Sequence, residues 1–155
     1  MGKDKMEFRN DINIRNKKAS FEYNFIDKYI AGIALMGSEI KSVRLGKVNL
    51  QDAYCTFQKG ELYVKELHIS PYSMAREINH EPKRERKLLL NRREINKLET
   101  KSKEKGLTII PIRIFLNKRG LAKLEIALAK GKKLYDKRED IKEKDLKREM
   151  DRMKI

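Results

Sequence analysis

A mainly β fold with helices, built as a small antiparallel barrel with flanking α-helices and a basic C-terminal tail, is predicted by three features of this sequence. Short apolar segments alternate with polar residues at the period of a strand and are separated by Gly-containing turns. Two stretches carry helix-capping residues at both ends. Nothing in the order of these segments has the strand–helix–strand alternation of a parallel sheet. The tally is five or six short strands and two helices, with no internal repeat. Isolated hairpins are marginal in water, so the strands are expected to close on themselves. One apolar and one basic face then make an OB-like barrel the natural form.

The elements follow in order. Residues 1–20 read as a basic N-terminal arm, and the chain turns apolar and aromatic from Phe21, predicting a strand over about 21–29. "GSEIKSVRLG" predicts a short helix, with Ser38 as N-cap, Gly46 as the residue after the C-cap, and Ile40, Val43 and Leu45 between them. In "AYCTFQKGELYVKEL", Ala53, Cys55 and Phe57 alternate with Tyr54 and Thr56 before a turn at "QKGE", which is a hairpin. "PYSMAREINHEPKRER" has no period and reads as a loop. "LLLNRREINKLETKSKEKG" reads as a helix: Asn91 and Glu94 have capping-box spacing, Ile95 and Leu98 share a face, and Gly106 closes it. "LTIIPIRIFLNKRGLAKLEIALA" is a second hairpin. Ile110, Ile112, Ile114 and Leu116 are expected to line one face, and Ala122, Leu124, Ile126 and Leu128 the matching face of the return strand. Pro111 has no N–H for a ladder, so its strand should begin at an edge or a bulge. The domain reading is therefore an arm (1–20), an OB-like barrel (21–130) and a tail (131–155).

Charge points to the partner. The chain carries 38 basic and 23 acidic side chains, a net +15, with a sequence pI near 9.9, so a polyanion is the expected ligand. Residues 21–75 are neutral overall, whereas 76–105 alone carry +5. The excess lies in the arm, a central segment, the last hairpin and the tail. Lipid is the weaker candidate: no run approaches the ~18 apolar residues of a spanning helix. The N-terminus lacks the apolar stretch of a signal peptide, and Met6 stands where myristoylation wants Ser or Thr. Cys55 is the sole cysteine, a buried structural thiol on this reading, which suits the cytoplasm. After residue 135 the apolar content collapses to Ile141, Leu146, Met150, Met153 and Ile155. That tail is expected to be disordered when free and helical when held against a partner.

No catalytic constellation is present. His80 and Glu81 form the one adjacent His–acid pair, and a loop contact or RNA contact explains it better than acid–base chemistry. Two scattered histidines and one cysteine are too few for a metal site, and no Gly-rich phosphate cradle appears. No cofactor is implied. Basic patches are more informative. "KRERK" (83–87) and "NRR" (91–93) flank a helix start, where lysines, arginines and backbone N–H groups reach phosphates together. Lys41 and Arg44 share a side of the short helix, and their spacing is equally that of solvated surface. In "GKKLYDKRE" an aromatic, Tyr135, sits among cations, the combination that stacks an unpaired base while holding its backbone. Composition leaves open whether Tyr135 instead tucks onto the barrel.

Taken in order, "NKKASFEY", "AGIALMGSEIKSVRLGKVNLQDAY", "HISPY", "NHEPKRERKLLLNRREI", "KGLTIIPIRIF" and "ALAKGKKLYDKREDIKEKD" resemble the small protein B (SmpB) family, the tmRNA-binding (SsrA-binding) proteins of bacterial trans-translation. The match runs from Asn16 to about Asp145. The resemblance implies an OB-like barrel that catalyses nothing, binds the tRNA-like domain of tmRNA, and accompanies it with elongation factor Tu to stalled ribosomes. The tail would occupy the empty mRNA channel and the 16S rRNA decoding centre, so that rescue proceeds without codon pairing. Carried over by residue, the tmRNA-facing set is Asn16, Lys17, Lys18, Lys41, Ser42, Arg44, His80, Lys83, Arg86, Lys87, Leu89 and Asn91. The decoding-centre set is Lys132, Lys133, Tyr135, Asp136, Lys137 and Arg138. Ile30 departs from the acidic residue many members carry before "AG". The alternative reading is a general structured-RNA-binding or ribosome-associated barrel without a dedicated tmRNA partner; a third is a small nuclease using His80 and Glu81.

Overall fold

In the computed structural model, which describes residues 11–75, 78–132, 138 and 141–148, the elements run β1 (Asn13–Arg15), α1 (Lys17–Glu22), β2 (Tyr23–Ile33), α2 (Gly37–Arg44), β3 (Val48–Asn49), β4 (Tyr54–Gln58), β5 (Glu61–Lys65), β6 (His68–Ile69), β7 (Arg86–Leu89), α3 (Arg92–Ser102), β8 (Leu107–Leu116) and β9 (Ala122–Gly131). Residues 141–148 are also helical. The principal sheet has the order β1-β8-β4-β5-β7-β2-β9, and β9 pairs back onto β8. The six strands from β8 round to β9 therefore close into an antiparallel barrel, with β1 added outside on β8. A separate two-stranded ladder joins β3 and β6.

The alternation along β9 does what its pattern predicts: Ala122, Leu124, Ile126 and Leu128 all enter the core. They meet Leu62, Val64, Leu88 and Ile114 from other strands, Val43 from α2 and Leu98 from α3. Burial of each such Leu, Ile or Val is worth about 1.5–3 kcal/mol. β8 departs from its expected face. Pro111 pairs with Ile126 but Arg113 with Glu125, so Ile112 is an extra residue that no partner opposes. A one-residue bulge inverts the parity of a strand. Ile114 and Leu116 consequently share the core with Ile109, while Ile110 turns to a second cluster with Ala19 of α1 and Ala129. The bulge anticipated from Pro111 is what makes this switch.

Three further differences have local causes. The stretch expected as a free arm contributes β1 and α1, because Asn16 anchors it. The Asn16 backbone N–H donates to Ile112 O at 2.9 Å, and its side chain donates to Leu50 O and Pro111 O at 3.1 and 3.0 Å while accepting from Ala19 N–H. Leu88 and Leu89 belong to β7 rather than to the following helix, which starts after Asn91. There the cap is as read, Asn91 Oδ1 accepting from Glu94 N–H at 2.8 Å and Glu94 Oε1 from Asn91 N–H at 3.3 Å. α2 starts after Met36, whose N–H donates to Glu39 Oε1 at 2.7 Å, and Ser38 is released for another role. Gly46, with φ +75°, takes the left-handed position after the helix as expected. The turn between β4 and β5 puts Lys59 and Gly60 both at positive φ, the two-residue hairpin geometry that matches strand twist.

Candidate nucleic-acid interface

Nine of the expected RNA-facing residues lie on α2, the loop that leads to β7, β7 itself and the cap of α3, while Asn16, Lys17 and Lys18 lie at the start of α1 beside Leu50 and Asp52. At the centre is Glu39, fully buried. Burial alone pushes its carboxyl up. Hydrogen bonds from Arg84, the Met36 N–H and Arg86 outweigh that and hold it below the ordinary glutamate range. Arg84 Nη2 lies 2.6 Å from Glu39 Oε1, and Arg86 Nε donates to Oε2. Arg86, also fully buried, donates in addition to Leu67 O at 2.6 Å and Pro82 O at 3.1 Å. Two buried charges of this kind are tolerable only when each is paired and hydrogen-bonded, and here they clamp the loop to α2.

Other contacts repeat the pattern. Buried His80 places Nε2 2.8 Å from Ile69 O and Nδ1 2.8 Å from Ser38 Oγ. A carbonyl only accepts, so Nε2 carries a hydrogen, and the ring is held between the Ser38 hydroxyl and the Ile69 carbonyl. Ser42 Oγ donates to Ser70 O at 2.7 Å. Tyr72 and Asn79 pin the loop by reciprocal bonds of 3.1 and 2.8 Å. Lys41 Nζ rests 5.4 Å above the Tyr72 ring.

Of the twelve tmRNA-facing residues expected, Lys17, Lys18, Lys41, Lys83, Lys87, Leu89 and Asn91 are exposed and Arg44 is half-buried. Asn16, Ser42, His80 and Arg86 are buried, and each is hydrogen-bonded to protein partners. Leu89 is 53% exposed although apolar. It lies across Gly32 of β2, where an added Cβ would come within 3.3 Å of the Leu89 Cβ. In the tail set, Lys132 N–H donates to Glu22 O at 2.8 Å and Arg138 is exposed. Lys133, Tyr135, Asp136 and Lys137 lie outside the described residues.

Sequence reasoning missed Glu39, Arg84 and the acids beside the lysines. Glu39 had a signal: it stands four residues before Val43, so both share the buried face of α2. The acids had none, since their partners are distant in sequence. Lys18 is 3.7 Å from Asp52, Lys83 3.3 Å from Glu66, and Lys87 3.8 Å from Glu61, which also accepts from Arg92 at 2.7 Å. Asn49, Asp52, Glu66, His68 and Lys83 line one cleft of about 260 Å³. Among the described residues, no group of three or more His, Cys, Asp or Glu could hold a metal ion, and no helix is long and apolar enough to cross a membrane. Cys55 is buried, which pushes its thiol up and keeps it protonated.

The arrangement offers phosphate-seeking cations and the exposed apolar side chains of Met74, Ile78 and Leu89 on a hydrogen-bonded frame, a surface suited to folded RNA. Known proteins resemble the chain along most of its length. The SsrA-binding protein of Phocaeicola vulgatus is 62% identical over 142 residues, covering 92% of this chain and 95% of that protein. The SsrA-binding protein of Cytophaga hutchinsonii is 57% identical over 149 residues, covering 96% and 97%, and that of Desulforamulus reducens is 53% identical over 137 residues, covering 88% and 85%. A solved structure described as "tmRNA-SmpB: a journey to the center of the bacterial ribosome" superposes with a TM-score of 0.68 at 43% identity, covering 79% of this chain and 86% of that one. The family model described as SmpB protein matches residues 13–155, which takes in the barrel, its clamped loop and the tail; the chain belongs to the SmpB family.

Proposed function

We propose that this protein binds the tRNA-like domain of tmRNA and helps deliver it to stalled ribosomes for trans-translation, a ribosome-rescue and translation quality-control role. The observation that carries this reading is the near full-length likeness to proteins named SsrA-binding, together with the 43% identity to a chain solved as part of tmRNA–SmpB. The exposed Lys17, Lys18, Lys41, Lys83 and Lys87 would hold phosphates, and phosphate contacts set register and affinity. Leu89 would pack on a base, and Asn91 would contribute at the start of α3. Asn16, Ser42, His80 and Arg86 would act through the loop they position.

Residues 131–155 would serve as the ribosomal segment, entering the mRNA channel with Tyr135 stacked on an rRNA base in the decoding centre. Elongation factor Tu would belong to the delivery complex, and the protein would work in the cytoplasm. It would catalyse nothing: both ring nitrogens of His80 are engaged by Ser38 and Ile69, which speaks against the nuclease reading.

Competition binding tests the proposal. At fixed near-physiological salt, the tRNA-like domain should out-compete ordinary tRNA by about tenfold or more, roughly 1.4 kcal/mol. Equal binding would favour the second reading, a general structured-RNA binder, which the net charge of +15 supports by itself.

A further inference from the structure

A molecule this basic would adhere to any polyanion, yet three of the lysines on its proposed RNA-facing surface are paired with acids. Lys18, Lys83 and Lys87 each lie within 4 Å of a carboxylate, those of Asp52, Glu66 and Glu61 respectively. Exposed pairs of this kind contribute little to stability. Their placement is what matters. Asp52 and Glu66 are 70% and 48% exposed and line the same open cleft as Lys83. Glu66 also occupies a left-handed backbone position, φ +59°, that Gly or Asn would take with less strain.

We propose that Asp52, Glu61 and Glu66 are selectivity determinants of the RNA-binding surface. The proposal deepens the tmRNA reading and rests on it. A carboxylate only accepts hydrogen bonds. A phosphate approaching Lys18 or Lys83 from the wrong register therefore meets a like charge and must displace it. An RNA whose fold places a ribose 2′-hydroxyl or a base amino group there leaves the ion pair intact and donates to the carboxylate. The same acids thus penalise bare backbone and reward a matched surface, the two components that selectivity needs.

The test uses the full-length chain with Asp52→Asn and Glu66→Gln, singly and together, against a transcript of the tRNA-like domain and an elongator tRNA over a salt series. Each substitution should tighten ordinary-tRNA binding by roughly fivefold near physiological salt and steepen the salt slope by about 0.7–0.9, the signature of one more phosphate neutralised. Affinity for the tRNA-like domain should stay within about twofold or fall, so the preference narrows. Equal tightening for both RNAs, or no change for either, overturns the proposal. So does an equal effect from Glu104→Gln, which makes the same charge change just after α3. A wild-type protein with no preference overturns the functional reading and this proposal with it. A wild-type preference that the variants leave untouched overturns this proposal alone.

Discussion

Glu39 looks like an ordinary surface glutamate in "GSEIKSVRLG", yet the folded chain buries it completely between two arginines. Removing one member of a buried ion pair strands the other, so Glu39→Gln should cost roughly 3–5 kcal/mol, read from urea unfolding. The pH dependence has a definite sign. Glu39 binds its proton less tightly folded than unfolded, so its contribution is complete above about pH 4.5 and is lost as pH falls through the lowered folded value. The variant's stability should fall less steeply below pH 4.5 than the wild type's. Asn16 makes the same point with a neutral group. Asn16→Ala removes a helix cap and leaves the carbonyls of Leu50 and Pro111 without their donor, for a loss of about 2–4 kcal/mol. Any drop in RNA affinity in that variant should be accompanied by this loss; weakened RNA binding at unchanged stability would return Asn16 to direct contact.

At the scale of elements, the patterns that were legible were those whose partner lies next door in sequence. The β4–β5 and β8–β9 hairpins and the Asn91 cap needed only local alternation and turn residues. β7 was not legible, because Arg86 ends an aperiodic stretch and Leu88 and Leu89 lead into a helix pattern; the segment becomes a strand only through pairing with β2 and β5. The bulge at Ile112 was half legible: proline announced an irregularity, but which isoleucines would face inward depended on where the extra residue fell. A helix such as α3, capped on its own, should respond locally. Asn91→Ala should cost about 1 kcal/mol by thermal or chemical unfolding, and a much larger loss would mean that Asn91 also supports β7.

For the whole molecule, the proposed division of work between barrel and tail can be tested. β9 ends at Gly131, paired with Tyr23; Lys132 N–H donates to Glu22 O, and farther on Lys144 rests 5.7 Å over the Phe21 ring, a surface contact that buries little. Truncation after residue 132 should therefore leave the melting temperature within a few degrees and tmRNA binding intact, while abolishing tagging on stalled ribosomes. A large fall in melting temperature would mean that the tail belongs to the core. Tyr135→Ala is the finer version: RNA binding unchanged and tagging impaired, since stacking on a base is worth about 1–3 kcal/mol. Undiminished tagging would remove Tyr135 from the mechanism.

Legible in the amino-acid sequence were the mainly β class, the inward face of β9, the N-terminal cap of α3, the basic character and the family resemblance. All of these reside in composition or in spacings of a few residues. Only the tertiary structure decided which cations present themselves and which are consumed. Arg86 and Lys87 are neighbours in "KRERK", yet one is fully buried against Glu39 and the other is exposed beside Glu61. Successive strand residues point to opposite faces, and whether a face meets protein or solvent is set by segments 26–47 residues away in the chain. Charge is a property of the residue, but its availability to RNA is a property of the fold.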